Sequence, residues 1–116
     1  MPIQSIFARA NRTGTFTSAN ISVPANLTGI YWVRLNILGS QRTDATRNLS
    51  LLVEVSNDGG QTWNTYIGLT WVGGGVEKGN GNPGVVVDAG ELAGKTIRVT
   101  VTVSRQTNVG VNIETV

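Results

Sequence analysis

The chain is 116 residues long, with 40% apolar residues, only 14% charged residues and a formal net charge of +2. It holds neither cysteine nor histidine, which excludes disulfides, thiolate or imidazole metal ligation and every nucleophile activated by a histidine base. Its nine Lys and Arg are spread along the whole length. Nucleic acid demands a clustered basic stripe with aromatic platforms beside it, so no nucleic-acid partner is expected.

From the N-terminus, Met1 to Arg9 lacks the charged start and long apolar run of a signal peptide, and no stretch approaches the roughly 20 apolar residues that span a membrane. The expectation is a chain made in the cytoplasm with no membrane partner. Residues 3–9 and 13–18 read as two short strands separated by Asn11-Arg12-Thr13-Gly14, and residues 19–23 either continue the second strand or begin another, until Pro24 stops them. Thr28-Gly29 leads into a long strand, 30–38, with Tyr31, Val33, Leu35 and Ile37 on one face and Trp32, Arg34 and Asn36 on the other. A polar loop, 39–48, follows.

The segment 48–72 reads as a β-hairpin. Leu49, Leu51, Val53 and Val55 alternate before the turn, and Trp63, Thr65, Ile67, Leu69 and Trp71 alternate after it. Between them lies Ser56-Asn57-Asp58-Gly59-Gly60-Gln61-Thr62-Trp63, where Asp58 offers an acceptor to nearby backbone amides and the glycines accept positive φ. These eight residues resemble the Asp-box, Ser-x-Asp-x-Gly-x-Thr-Trp, repeated in the propeller blades of sialidases; Ser56, Asp58, Gly60, Thr62 and Trp63 fall on its pattern. In that family the box holds hairpin turns away from the active site, and a propeller needs several blades of about four strands. One box in 116 residues therefore predicts a structural turn and no glycosidase.

Beyond the hairpin, residues 73–84 are an irregular Gly/Asn/Pro stretch, 85–87 a short strand, and Asp88-Ala89-Gly90 a turn. Residues 96–104 alternate most cleanly, Ile97, Val99, Val101 and Val103 against Arg98, Thr100, Thr102 and Ser104. Thr107-Asn108 reads as a turn into a last strand containing Val109, Val111 and Ile113. Eight or nine strands with turns every 8–12 residues predict a single all-β domain, 1–116, an antiparallel β-sandwich of jelly-roll type.

Chemistry-bearing patterns are few. Gly90-Glu91-Leu92-Ala93-Gly94-Lys95-Thr96 imitates a phosphate-binding loop, but three residues separate its glycines where four are needed, and a strand follows where a helix is needed. Among the acids, Asp58 is explained by its turn, Glu54 and Glu114 fall on outward strand positions, and Glu77, Asp88 and Glu91 lie in turns. No pair marks a glycosidase, so no enzyme is expected. Structural calcium would draw on Asp44, Asp58 and Asp88, whose spacing matches no calcium-loop pattern; no cofactor is expected. Trp63 and Trp71 share the core parity of their strand. Trp32 and Tyr66 share the opposite parity, which makes them the candidate contacts for a protein interface or a glycan.

In its short cysteine-free all-β character, its Thr, Asn and Gly content, and segments such as Val53–Trp63 and Leu92–Val99, the chain resembles small virion proteins of tailed bacteriophages. That resemblance implies a capsid decoration (cement) protein, a homotrimer located in the virion, with the major capsid protein or another virion subunit as partner. The alternative it leaves is a tail-associated carbohydrate-binding or receptor-binding module. A surface so poor in charge has little to keep its strand edges from neighbours, in keeping with a subunit covered by others.

Overall fold

The computed structural model describes residues 4–38, 41, 48–71 and 83–115. Arg42, Asp44 and Arg47 of the first polar loop, and Glu77 with most of the Gly/Asn/Pro stretch, lie outside the described residues. Among the described residues, seven strands form one antiparallel sheet: β1 (Gln4–Thr17), β2 (Ile21–Ser22), β3 (Ile30–Ile37), β4 (Leu49–Ser56), β5 (Asn64–Trp71), β6 (Gly84–Asp88) and β7 (Thr96–Thr115). A short helical turn, α1 (Ala89–Leu92), links β6 towards β7, with the Asp88 carboxylate accepting from the Gly90 amide at 2.9 Å as its N-cap.

β7 organises everything else. One of its edges pairs with β1, from Gln4↔Ile113 to Thr17↔Thr100, and then with β2. The other edge pairs first with β4, Ser56↔Thr96 to Leu49↔Val103, and then with β3, Ile37↔Val109 to Tyr31↔Thr115. β5 extends β4, and β6 extends β3. The sheet thus has two flanks, β5-β4 and β6-β3, which β1 and β7 traverse from one to the other, and it curls into a sandwich that is nearly a closed barrel.

Among the described residues the strand count falls below eight because two pairs of segments read as separate strands are single bent ones. Asn11-Arg12-Thr13-Gly14 is a kink within β1, where the register jumps between Arg12↔Thr107 and Gly14↔Val103. Thr107-Asn108, expected to be a turn, lies inside β7; Thr107 is buried and its hydroxyl donates to the Arg105 carbonyl at 2.9 Å. The bend is sharp. Phe7 and Phe16 would lie about 30 Å apart on a straight strand, yet their rings meet edge to face at 5.2 Å. The Arg12 guanidinium lies over both, 5.0 Å from the Phe7 ring centre and 4.7 Å from that of Phe16, donating through Nε to the Val109 carbonyl and through Nη2 to that of Ala8. Its charge is held by two π faces and two carbonyls. At Gly110, beside another jog in the β1 register, a Cβ would sit 2.5 Å from the Phe7 carbonyl oxygen. Only glycine lets the two backbones approach so closely.

Alternation places Tyr31, Val33, Leu35 and Ile37 of β3, Leu49, Leu51 and Val53 of β4, Val85 and Val87 of β6, and the odd-numbered Ile97–Val103, Val109 and Val111 of β7 in one apolar cluster. Burying each such side chain contributes about 1.5–3 kcal/mol. Opposite them, Thr15 and Thr17 share hydrogen bonds with Thr102 and Thr100 at 3.0 Å, so threonine ladders cover outer surface where charge is scarce.

Candidate functional site

The box-like turn between β4 and β5 is a closed hydrogen-bonded unit. Ser56, buried at the end of β4, donates through its hydroxyl to Asp58 Oδ1 (2.6 Å) and accepts from the amides of Asp58 (3.3 Å) and Gly60 (2.9 Å). Asp58 Oδ1 also accepts from the amides of Gln61 (3.1 Å) and Thr62 (2.9 Å), and Oδ2 from the Thr62 hydroxyl (2.5 Å). Hydrogen bonds from Ser56 and then Thr62 hold this carboxyl well below the ordinary carboxylate range. Gly59 and Gly60 carry φ of +73° and +98°. A side chain at Gly60 would also strike the Asn20 amide, whose Nδ2 lies 2.6 Å from the Cβ position.

Asp58 is thereby committed to its own turn, and Asp88 caps α1. Among the described residues no group of three or more carboxylates could hold a metal ion. The phosphate-loop imitation, residues 90–96, comprises the end of α1, a turn and the start of β7, so no helix follows Lys95-Thr96.

Trp63 departs from the expected core parity. A bulge separates the pairs Val53↔Ile67 and Glu54↔Thr65, leaving Tyr66 as the extra residue. Past that point the faces exchange. Trp71 and Ile67 pack against the core, whereas Trp63 lies beneath the Arg98 guanidinium, 4.2 Å from the ring centre. Arg98 Nε donates to Glu54 Oε1 at 2.9 Å, and the Trp63 indole donates to the Gly60 carbonyl at 3.1 Å. Glu54 and Arg98 are cross-strand partners on the outward positions of β4 and β7.

The same bulge relocates Tyr66, which was expected to lie on the outer face as a contact residue. It is half-buried against the core. Its hydroxyl donates to Glu91 Oε1 (2.5 Å) and accepts from the Asp88 amide (3.1 Å), joining β5 to the end of β6 and to α1. Desolvation, followed by the bond to Glu91, pushes the phenol pKa above its ordinary value.

Trp32 does occupy the outward parity expected of it, between Val86 of β6 and Glu114 of β7 in register. Val86 is 40% exposed, and Ile30, two residues before Trp32 on the same face, is 44% exposed. The Arg34 guanidinium lies 5.2 Å from the Trp32 ring centre, and its Nη1 reaches Glu114 Oε2 at 3.3 Å. The result is an apolar ridge, Ile30–Trp32–Val86, bordered by an ion pair. Trp32 and Tyr66 do not share a face, so they form no common stacking platform.

Sequence parity identifies Trp32 but not its neighbours. Val86 and Glu114 reach it only through β-pairings more than fifty residues apart in the chain, and the single available signal was the Trp32-x-Arg34 spacing, which puts both residues on one face. No protein-family description, curated protein or solved structure matches the chain.

Proposed function

We propose that the chain is a non-enzymatic structural subunit that assembles through the face around Trp32. In this reading it acts as a virion decoration protein of the kind it resembles, bridging neighbouring shell subunits. The observation that carries it is the Ile30–Trp32–Val86 ridge: three large apolar residues on the outer side of a sheet whose inner side already fills the core. Tryptophan surrounded by smaller apolar groups, with a charged pair at the rim, is the usual make-up of an interface centre. Covering the ridge removes apolar surface from water, and the Arg34–Glu114 pair supplies direction at its border.

The test is sedimentation velocity across a concentration series, together with binding to phage particles that lack the protein. The wild-type chain is expected to form a homotrimer and to bind particles. Trp32→Ser should weaken both associations by about thirtyfold or more, the effect of losing a hot spot of about 2 kcal/mol. A protein that stays monomeric at high concentration and ignores particles defeats the proposal. The second reading rests on the same indole, which with Arg34 and Glu114 beside it has the make-up of a sugar-stacking site. A glycan array separates the two, because a decoration protein shows no saccharide preference.

A further inference from the structure

Short length, bulges, proline and charge are the usual devices that keep a strand edge from pairing with another chain. Among the described strands that border the sheet, most carry several of them. β1 departs from register three times and bears Arg9 and Arg12. β2 has two residues, and β6 follows Pro83 and ends at Asp88, whose amide already donates to the Tyr66 hydroxyl. β5 has only its bulge at Tyr66. Asn64–Trp71 contains no charged residue and no proline, and past the bulge it runs in unbroken register from Val53↔Ile67 to Leu49↔Trp71.

The backbone of that stretch is only half used. The Ser104 amide donates to the Asn48 carbonyl at 3.0 Å, so along β4 the even-numbered residues hydrogen-bond towards β7 and the odd-numbered ones towards β5. Ile67, Leu69 and Trp71 therefore direct their amides and carbonyls to β4. Those of Gly68 and Thr70 point out of the sheet, where no described strand meets them. Leu69 lies opposite the buried Leu51, on the core side of the sheet, yet it is 49% exposed. An open row of donors and acceptors beside an uncovered apolar side chain is what an added β-strand satisfies.

We infer that this edge pairs with itself: β5 of a second copy lies antiparallel along it, about a two-fold axis at Leu69. The register is self-complementary. Gly68 and Thr70 of one copy exchange backbone hydrogen bonds with Thr70 and Gly68 of the other, and the two Leu69 side chains meet across the axis as the closer, non-hydrogen-bonded pair. Ile67 of each copy faces Trp71 of the other, an aliphatic–aromatic cross-strand pair. No like charges meet, because β5 has none. The contact lies on the β5-β4 flank and the Trp32 ridge on the β6-β3 flank, so either can fail without the other.

The chain has no cysteine, so the thiol introduced by Leu69→Cys can pair only with that of another copy. Facing Cα atoms in such a pair lie about 4.5 Å apart, within disulfide range. The substitution is made in a Trp32→Ser chain, which removes the ridge contact. Under mild copper–phenanthroline oxidation it should give covalent dimers at least about tenfold faster than Thr17→Cys, an exposed position on β1, because the paired edge raises the local thiol concentration. In sedimentation velocity on the same background, Leu69→Lys and Leu69→Glu should each weaken the dimer about tenfold or more by setting like charges opposite each other. An equimolar mixture of the two should restore it. Equal cross-linking rates at positions 69 and 17 overturn the contact, and so does a dimer that a folded Leu69→Lys leaves as strong as before. Lys and Glu variants that associate no better together than apart overturn the two-fold register at Leu69.

Discussion

Trp63 and Trp32 each lie beside an arginine that pairs across strands with a glutamate, one set on each flank of the sheet, yet the two sets are differently engaged. Around Trp63 the guanidinium stacks at 4.2 Å and the ion pair closes at 2.9 Å. The indole N–H is bound to the Gly60 carbonyl, so the box-like turn and the ring fix each other. Around Trp32 the corresponding distances are 5.2 Å and 3.3 Å, and the flanking residues are the exposed Ile30 and Val86. The same three residue types serve internal architecture where a turn folds back over the ring, and they leave an apolar ridge where none does. Trp–Arg–Glu on a sheet surface is therefore no functional signature; what covers the indole decides its use.

The sharpest way to break this comparison is to truncate each ring. Trp63→Ala should cost about 2–3 kcal/mol in urea denaturation, because it removes half-buried ring surface, the Arg98 stack and the tie to Gly60 together. Trp32→Ala should cost about half as much, and it should change association more than stability. Equal losses of stability would mean that the ridge is as internal as the turn.

Next comes acid. Because the Asp58 carboxyl titrates below its unfolded value of about 3.9, the unfolded chain binds more protons as pH falls past that value. The stability that the turn contributes is present above about pH 4 and is lost progressively below it. Asp58→Asn should lower the urea midpoint at pH 7 and flatten its acid dependence, whereas the Trp32 flank should be unaffected. A wild-type acid profile matching that of the variant would show that the turn's hydrogen bonds do not bias protonation.

Tyr66→Phe probes the strut between β5 and α1 and should cost about 1 kcal/mol. Since the folded phenol pKa is raised, its contribution is complete below the unfolded value of about 10 and is lost as pH climbs through the folded value. The variant should lack that alkaline loss in a pH-resolved melt. The smallest effect belongs to the ion pairs. Double-mutant cycles should give about 0.5 kcal/mol for Glu54–Arg98 and less for Glu114–Arg34, as both are partly solvated. The reverse order would overturn the ranking by geometry.

The all-β class, the hairpin at 48–72 and the inward rows of β3, β4 and β7 were legible in the sequence because a strict period of two admits one arrangement. Ser56, Asp58, Gly60 and Thr62 were legible for the same local reason: their bonds span four residues or fewer. The orientation of Trp63 was not. Thr65, Ile67 and Leu69 continue the alternation through the bulge as though nothing intervened, and the extra residue shows only in register against β4. Nor were the bends in β1 and β7 legible, since Asn11-Arg12-Thr13-Gly14 and Thr107-Asn108 have turn composition. What keeps them in strands is Arg12 contacting Phe7, Phe16 and Val109, the last of these 97 positions away.

The path of β7 through both flanks has a consequence for biogenesis. Among the described strands, β3 and β4 do not pair with each other, and each is joined to the rest of the sheet only through its own outer neighbour and through β7. As the polypeptide leaves the ribosome, the hairpin of β4 and β5 can close early, but β1 has no partner among the described strands until its complement at 96–115 arrives. Nascent chains shorter than about residue 115 should therefore present unpaired strands to chaperones. Such distant pairings are slow to find, so β7 acts as a late zipper that closes both flanks in one cooperative event.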